Sequence, residues 1–248
     1  MVLAAGLGTR LRPLTNDRPK ALVEINSRTL LEIALARLRR FGVQDVIINS
    51  HHFADTLTHY LEDHQNFGMH IEISREDDLL LDTGGGLKKA AKFFLRDSGD
   101  TPFLLHNVDV LSTIDLQEMV ALHRKHDALV TLAMRHRKSS RLLLFNSHSE
   151  LCGRQITKDD KTATEMVRAC PHPHSLAFCG IHVISPRLLK LMTEQGVFSI
   201  IDVYLRLAGA GEKIRSFPAD QYYWRDLGRP EHLAQAAADV ANGALVLS

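Results

Sequence analysis

The strongest constraint on this chain is the alternation, over its first 110 residues, of short apolar runs with longer segments of helical period. Met1–Ala5 and Asp45–Ser50 are brief runs whose polarity barely alternates, Ile71–Ser74 is a third strand candidate, and Pro102–Leu105 feeds a fourth that ends near Asp109. Strands apolar on both faces belong in a parallel sheet covered on both sides. Between them, Thr29 predicts a helix N-cap. Leu30, Leu31, Ala34, Leu35, Leu38 and Phe41 follow at i, i+3, i+4 spacings, and Gly42 takes the C′ position. Phe53–His64 and Leu87–Leu95 are predicted as further helices. The expectation is an α/β, Rossmann-like chain with a mostly parallel central sheet flanked by helices.

The second half is less regular. Ala128–Met134 and Arg141–Phe145 look like adjacent strands, Cys152–His174 is a polar stretch holding two prolines, and Leu176–Ile184 is another strand. Helices are predicted at Ile200–Leu207 and at Pro230–Ala241, the latter with proline in its first turn. With no repeat, low-complexity tract or linker, 248 residues are expected to form a single domain.

Composition narrows the function classes. A net charge of +1 argues against binding nucleic acid through bulk charge. No apolar run approaches the roughly 18 residues needed to cross a bilayer, and MVLAAGLGTR lacks the basic start and long apolar middle of a signal peptide. Cys152, Cys170 and Cys179 cannot form an even disulfide framework. A cytoplasmic protein without nucleic-acid or membrane partners is expected.

The most informative stretch is Leu3–Leu22, LAAGLGTRLRPLTNDRPKAL. Gly6 and Gly8 directly follow the first strand, where a parallel sheet binds ligands at its carboxyl edge, and glycine lets backbone N–H groups approach phosphate oxygens. A dinucleotide fingerprint is excluded because Leu11 stands where its third glycine belongs, and Pro13 and Pro19 oppose a long helix. A Walker A loop is excluded because Gly-Lys-Ser/Thr is absent. Arg10, Arg12, Arg18 and Lys20 instead stud the loop with cations able to wrap a triphosphate from several sides.

This run resembles the N-terminal signature of the sugar-1-phosphate nucleotidylyltransferases, which make NDP-sugars from an NTP and a sugar 1-phosphate. LDTGGGLKKA (Leu81–Ala90) is similar to that family's second glycine segment, LLHNVDV (Leu104–Val110) to its metal-aspartate strand, and WRDLGRPEHL (Trp224–Leu233) to its C-terminal aspartate motif. Short chains with TGGG and no C-terminal β-helix look most like the N-acetylmuramate 1-phosphate uridylyltransferases, with mannose-1-phosphate guanylyltransferase-like proteins also similar. The resemblance implies the nucleotide-diphospho-sugar transferase fold, with 1–110 as the nucleotide-binding half. Residues 111–248 would supply sugar contacts and the second metal ligand.

It also implies roles. A sugar phosphate oxygen attacks the α-phosphorus of UTP or GTP in line and pyrophosphate leaves, so the protein must align two polyanions and neutralise charge. Mg²⁺ suits this chemistry, with Asp109 and Asp226 as its implied ligands. Arg10 and Lys20 are the implied catalytic cations. Leu3, Ala4, Ala5, Gly6, Gly8 and Thr9, with Asp82, Thr83, Gly84 and Gly85, are the implied nucleotide contacts. Asn49, Asn107, Glu165, Gly180 and Asp202 are the implied sugar contacts. The chain departs from the family at Val108, where Gly is common before the aspartate, at Asp82, and in lacking Glu-Lys-Pro before Leu176–Ile184.

Two other classes fit the same resemblance: a non-catalytic NDP-sugar-binding regulator, and a metal-dependent glycosyltransferase. Retention of Arg10, Lys20, Asp109 and Asp226 disfavours the first, and Asn107-Val108-Asp109 in place of Asp-x-Asp disfavours the second. Cys170, His172, His174 and Cys179 fit no structural zinc spacing. His123 and His126 are expected on a solvated helix face, and Cys179 in the core. A monomer or homodimer is expected.

Overall fold

The computed structural model describes residues 1–96 and 99–245. It divides into two compact units interleaved in sequence. The first comprises Met1–Leu81, His106–Thr113 and the chain from Tyr223 onward; the second comprises Asp82–Leu105 and Ile114–Tyr222. The α/β class with a mostly parallel central sheet flanked by helices is the architecture the chain adopts.

In the first unit the parallel pairing is complete. Val2–Leu3 lies between Asp45–Ser50 and the end of Phe103–Asn107, and His70–Arg75 pairs outside Asp45–Ser50. The register sets Leu3 level with both Asn49 and Asn107, and Asn49 level with Ser74. These residues therefore mark the carboxyl edge of the sheet, from which the glycine loop departs.

Helix Leu30–Arg40 shows why the local sequence folds as it does. Thr29 caps it, its hydroxyl accepting the Glu32 N–H at 3.0 Å, which stabilises the helix by about 1 kcal/mol. Glu32 stands three residues on, where a capping box would use it, but its carboxylate is paired with Arg28 at 2.7 Å. Leu30, Leu31, Leu35 and Leu38 are fully buried, each worth roughly 1.5–3 kcal/mol of transfer free energy. Gly42, at φ +82°, terminates the helix as its C′ residue. Helix Pro230–Ala241 carries proline at its start, as predicted.

The second unit holds an antiparallel ladder in the order Lys161–Met166, Leu151–Lys158, Arg141–Phe145, His174–Ile184, with Val130–Arg135 against the other side of His174–Ile184. Ile214–Pro218 pairs parallel to Val130–Arg135. The polar stretch Cys152–His174 is therefore largely a hairpin. Its outer strand, Lys161–Met166, is exposed at every residue, so no apolar alternation betrays it. Its turn residues Asp159 and Asp160 both adopt left-handed φ values, the signature of a tight hairpin.

Three further differences have physical causes. Leu116–Lys125 is a helix capped by Asp115, whose carboxylate accepts the N–H groups of Gln117 and Glu118. His123 on that helix is buried rather than solvated, its ring bonded to Thr131 Oγ1 at 3.0 Å and Ser185 Oγ at 3.1 Å. Burial pushes its pKa down to about 4. The predicted helix Leu87–Leu95 begins earlier, as Asp82–Lys89, and is followed by a separate turn Ala91–Phe94. Cys179 is a core residue as expected. Among the described residues, no helix is long and apolar enough to cross a membrane.

Candidate active site

The glycine loop leaves the first strand as an irregular turn and closes on itself at Gly8. Gly8 adopts φ +63°, and its carbonyl accepts a hydrogen bond from the Thr15 hydroxyl at 2.9 Å. A Cβ at this position would meet Thr15 Cγ2 at 2.9 Å and Lys20 Cβ at 3.1 Å. Glycine is thus required both by the left-handed backbone and by the approach of Lys20. Lys20 opens a short 3-10 turn, Lys20–Leu22, entered from the extended Pro19.

Lys20 forms an ion pair with Asp109, 89 positions away, and both side chains are largely buried, at 12% and 19% exposure. Asp109 directly precedes Val110–Ser112, which pairs antiparallel with Trp224–Asp226. The register sets Asp226 opposite Val110, and the Leu227 N–H donates to the Asp109 carbonyl at 2.8 Å. The two predicted metal acids therefore stand one register step apart on a single ribbon.

Asp226 sits beside His232, with 3.3 Å between Oδ2 and the ring Nδ1. The Arg10 guanidinium lies over Gly228. A Cβ built there would meet Arg10 Nη2 at 2.9 Å and Asp226 Oδ1 at 3.3 Å. Gly228, which the sequence reading did not single out, is what admits Arg10 next to Asp226. Lys20 is thus paired with Asp109, Arg10 and Asp226 both stand beside Gly228, and the two carboxylates belong to adjacent positions of one ribbon. Among the described residues no group of three or more His, Cys, Asp or Glu is placed to hold a metal ion. Two carboxylates remain, a donor set that suits Mg²⁺ when phosphate oxygens and water supply the other ligands.

Behind the loop lies a polar bracket. Asn49, 3% exposed, accepts the Ala4 N–H at 2.8 Å and donates its amide to Glu76 Oε1 at 2.8 Å. Glu76, 1% exposed, also accepts the Leu81 N–H at 2.9 Å, while its own carbonyl is bonded to the His51 ring. Asn49 is thereby occupied in fixing the loop's first residue. Glu76 sits in the charged run Arg75–Asp78, which gives no sequence signal of burial. Asn107 closes its strand level with Leu3, and the Val108 N–H donates to the Leu3 carbonyl at 3.1 Å. Leu3, Ala4 and Ala5 precede Gly6 along this edge, and Thr9 opens the 3-10 turn Thr9–Leu11 that carries Arg10.

The remaining candidates lie in the second unit. Asp82, at φ +59°, starts its helix, its carboxylate accepting the Thr83 N–H. The Thr83 hydroxyl accepts the Ile200 N–H at 3.0 Å, and the Gly84 and Gly85 N–H groups donate to the Phe198 carbonyl. Glu165 and Asp202 are brought together by Arg154, which donates Nε to Glu165 and Nη1 to Asp202. Arg154 carries no motif that would single it out in sequence. Gly180, at φ +77°, lies where the register of His174–Ile184 shifts against Val130–Arg135.

Comparison with known proteins adds to this geometry. The family model described as nucleotidyl transferase matches residues 1–142. An N-acetylmuramate alpha-1-phosphate uridylyltransferase from Caulobacter vibrioides is 33% identical over 246 residues, covering 97% of this chain and 96% of that one. A UTP–glucose-1-phosphate uridylyltransferase from Synechocystis sp. is 28% identical over 253 residues, but this chain spans only 62% of its length. Among solved structures, HddC from Yersinia pseudotuberculosis, complexed with GMP-PN, superposes with a TM-score of 0.72 over 96% of this chain and 97% of that one. The sequence identity there is 20%, so that likeness is one of fold.

Proposed function

Because this chain belongs to the nucleotidyl transferase family, we propose that it couples an NTP, UTP or GTP, to a sugar 1-phosphate, giving an NDP-sugar and pyrophosphate. The observation that carries this reading is the Lys20–Asp109 ion pair with Arg10 and Asp226 beside Gly228, two cations from one loop next to two acids of one ribbon. No enzyme nucleophile is needed, since the attacking phosphate is already anionic. The chain's task is to hold two polyanions in line.

In this reading the loop Leu3–Thr9 offers backbone N–H groups to the nucleotide, with Arg10 on the β- and γ-phosphates and Lys20 on the α-phosphate. One such cation contact at about 4 Å and an effective dielectric near 20 amounts to about 4 kcal/mol before desolvation. Asp109 and Asp226 would hold Mg²⁺, which when bound neutralises phosphate charge. In the second unit, Asp82–Gly85 are proposed nucleotide contacts. Glu165, Gly180 and Asp202 are proposed sugar contacts, joined by Asn107 in the first unit. The reading takes 1–248 as one nucleotidyltransferase domain acting in the cytoplasm as a monomer or homodimer, on these substrates and not on nucleic acid or membrane. The uridylyltransferases among its relatives favour UTP.

The test is pyrophosphate release. The full chain is incubated with Mg²⁺ and each NTP against glucose 1-phosphate, mannose 1-phosphate and N-acetylmuramate 1-phosphate. UTP- or GTP-dependent release with one sugar supports the reading, and no release with any pair sinks it.

A further inference from the structure

We propose that Lys20 is a built-in counter-ion that keeps a divalent cation off Asp109 until nucleotide phosphate draws the ammonium away. The proposal rests on the assignment of Asp109 and Asp226 as the metal acids.

Both partners of the Lys20–Asp109 pair are anchored by their backbones. Lys20 begins a 3-10 turn in which its carbonyl accepts the Val23 N–H at 3.1 Å, and its Cβ is backed against Gly8. Only the end of its stem is free to swing. Asp109 is fixed through its carbonyl by the Leu227 N–H at 2.8 Å. The ammonium therefore returns to the same carboxylate whenever nothing else competes for it, in surroundings where screening by water is weak.

Two consequences follow for a dication approaching the free protein. At Asp109 it meets a carboxylate already neutralised, with a like charge in the way. At Asp226 it meets a carboxylate flanked by His232 and the Arg10 guanidinium. No third acid, histidine or cysteine among the described residues completes a cage. A nucleotide changes both conditions together, because its phosphates offer oxygen ligands to the metal and a competing anion to Lys20. Cation and nucleotide thus enter as one event, and the empty enzyme does not hold the metal on its own.

The test is Mn²⁺ binding to the full chain without nucleotide, followed by loss of the free-ion electron paramagnetic resonance signal. Lys20→Gln should bind Mn²⁺ about tenfold tighter than the wild type or better, because a unit charge beside the ligand is gone. Lys20→Arg keeps the charge and should bind no tighter than the wild type. Adding Asp109→Asn to Lys20→Gln should abolish the gain. Equal affinities for wild type and Lys20→Gln would overturn the proposal, as would tight binding by Lys20→Arg or a gain that survives Asp109→Asn. These titrations contain no nucleotide, so they separate from the transfer reaction. Pyrophosphate release with equal Mn²⁺ affinities removes the counter-ion role alone. A Lys20→Gln gain in Mn²⁺ affinity, with no release by the wild type on any substrate pair, keeps that role and removes the reaction.

Discussion

Replacing Asn49 by alanine should be among the costliest single changes in the first unit. The side chain joins two buried partners, accepting the Ala4 N–H at 2.8 Å and donating to Glu76 Oε1 at 2.8 Å. Alanine leaves the Ala4 N–H without its partner, at about 1–3 kcal/mol for a buried donor. It also strips one charge-assisted bond from a carboxylate that is 1% exposed, at roughly 1.5–3 kcal/mol. The Leu81 N–H remains on Glu76, so the carboxylate is weakened rather than stranded. The sum is about 2.5–6 kcal/mol, against a total stability of about 5–15 kcal/mol for a domain. Urea denaturation of wild type and Asn49→Ala at pH 7.5 measures it as a shift in midpoint at unchanged slope. Asn49→Asp loses the same donor and adds a like charge beside Glu76, so it should be worse than alanine. A loss under about 1 kcal/mol for Asn49→Ala would mean that water replaces the amide and that the bracket does not hold the loop.

Lys20→Ala should lower kcat/KM for pyrophosphate release by about 10²-fold or more, as expected for lost charge stabilisation, and near-normal turnover by the folded variant would remove Lys20 from the chemistry. Gly228→Ala sets a methyl 2.9 Å from Arg10 Nη2, and because Arg10 is long and exposed it can move aside. Urea stability should therefore stay within about 1 kcal/mol while kcat/KM falls toward that of Arg10→Ala. Unchanged turnover would show that the position of Arg10 is immaterial. Stability should also fall on acidification. Burial, aided by the Arg37 charge, pushes the His106 pKa down to about 3, and burial pushes that of His123 down to about 4, so both stay neutral in the fold while the unfolded chain takes up protons below pH 6.5. Their contribution is complete above that pH and drains away as pH drops toward about 4 for His123 and about 3 for His106, with each histidine costing about 2 kcal/mol at pH 5. Equal urea midpoints at pH 7.5 and pH 5 would contradict the assignment.

What could be read in advance was whatever obeys a period or a motif. Thr29, the leucine face behind it and Gly42 announced a helix because capping, burial and termination each leave a mark in sequence. Lys20, Asp109 and Asp226 were singled out by their motifs, though nothing in their spacing said that Lys20 and Asp109 would pair. Glu76 was invisible because a buried acid looks like a solvated one until its donors are seen. Arg154 was invisible for a related reason, its two carboxylate partners coming from distant segments. His123 was misassigned because helix Leu116–Lys125 turns it inward, toward hydroxyls 8 and 62 positions away. The hairpin around Asp159 and Asp160 went unread, because its outer strand is exposed at every residue and lacks the alternation expected of sheet.

That outer strand has a consequence for the behaviour of the protein in concentrated solution. Lys161–Met166 ends its ladder, so one row of its main-chain donors and acceptors has no neighbour within the ladder. Such a border invites growth by further chains, and Lys161 and Glu165, exposed charges on a mostly polar strand, answer it by making any new pairing there costly to desolvate. Ionised side chains at this margin thus help the molecule to stay apart from its own kind when crowded.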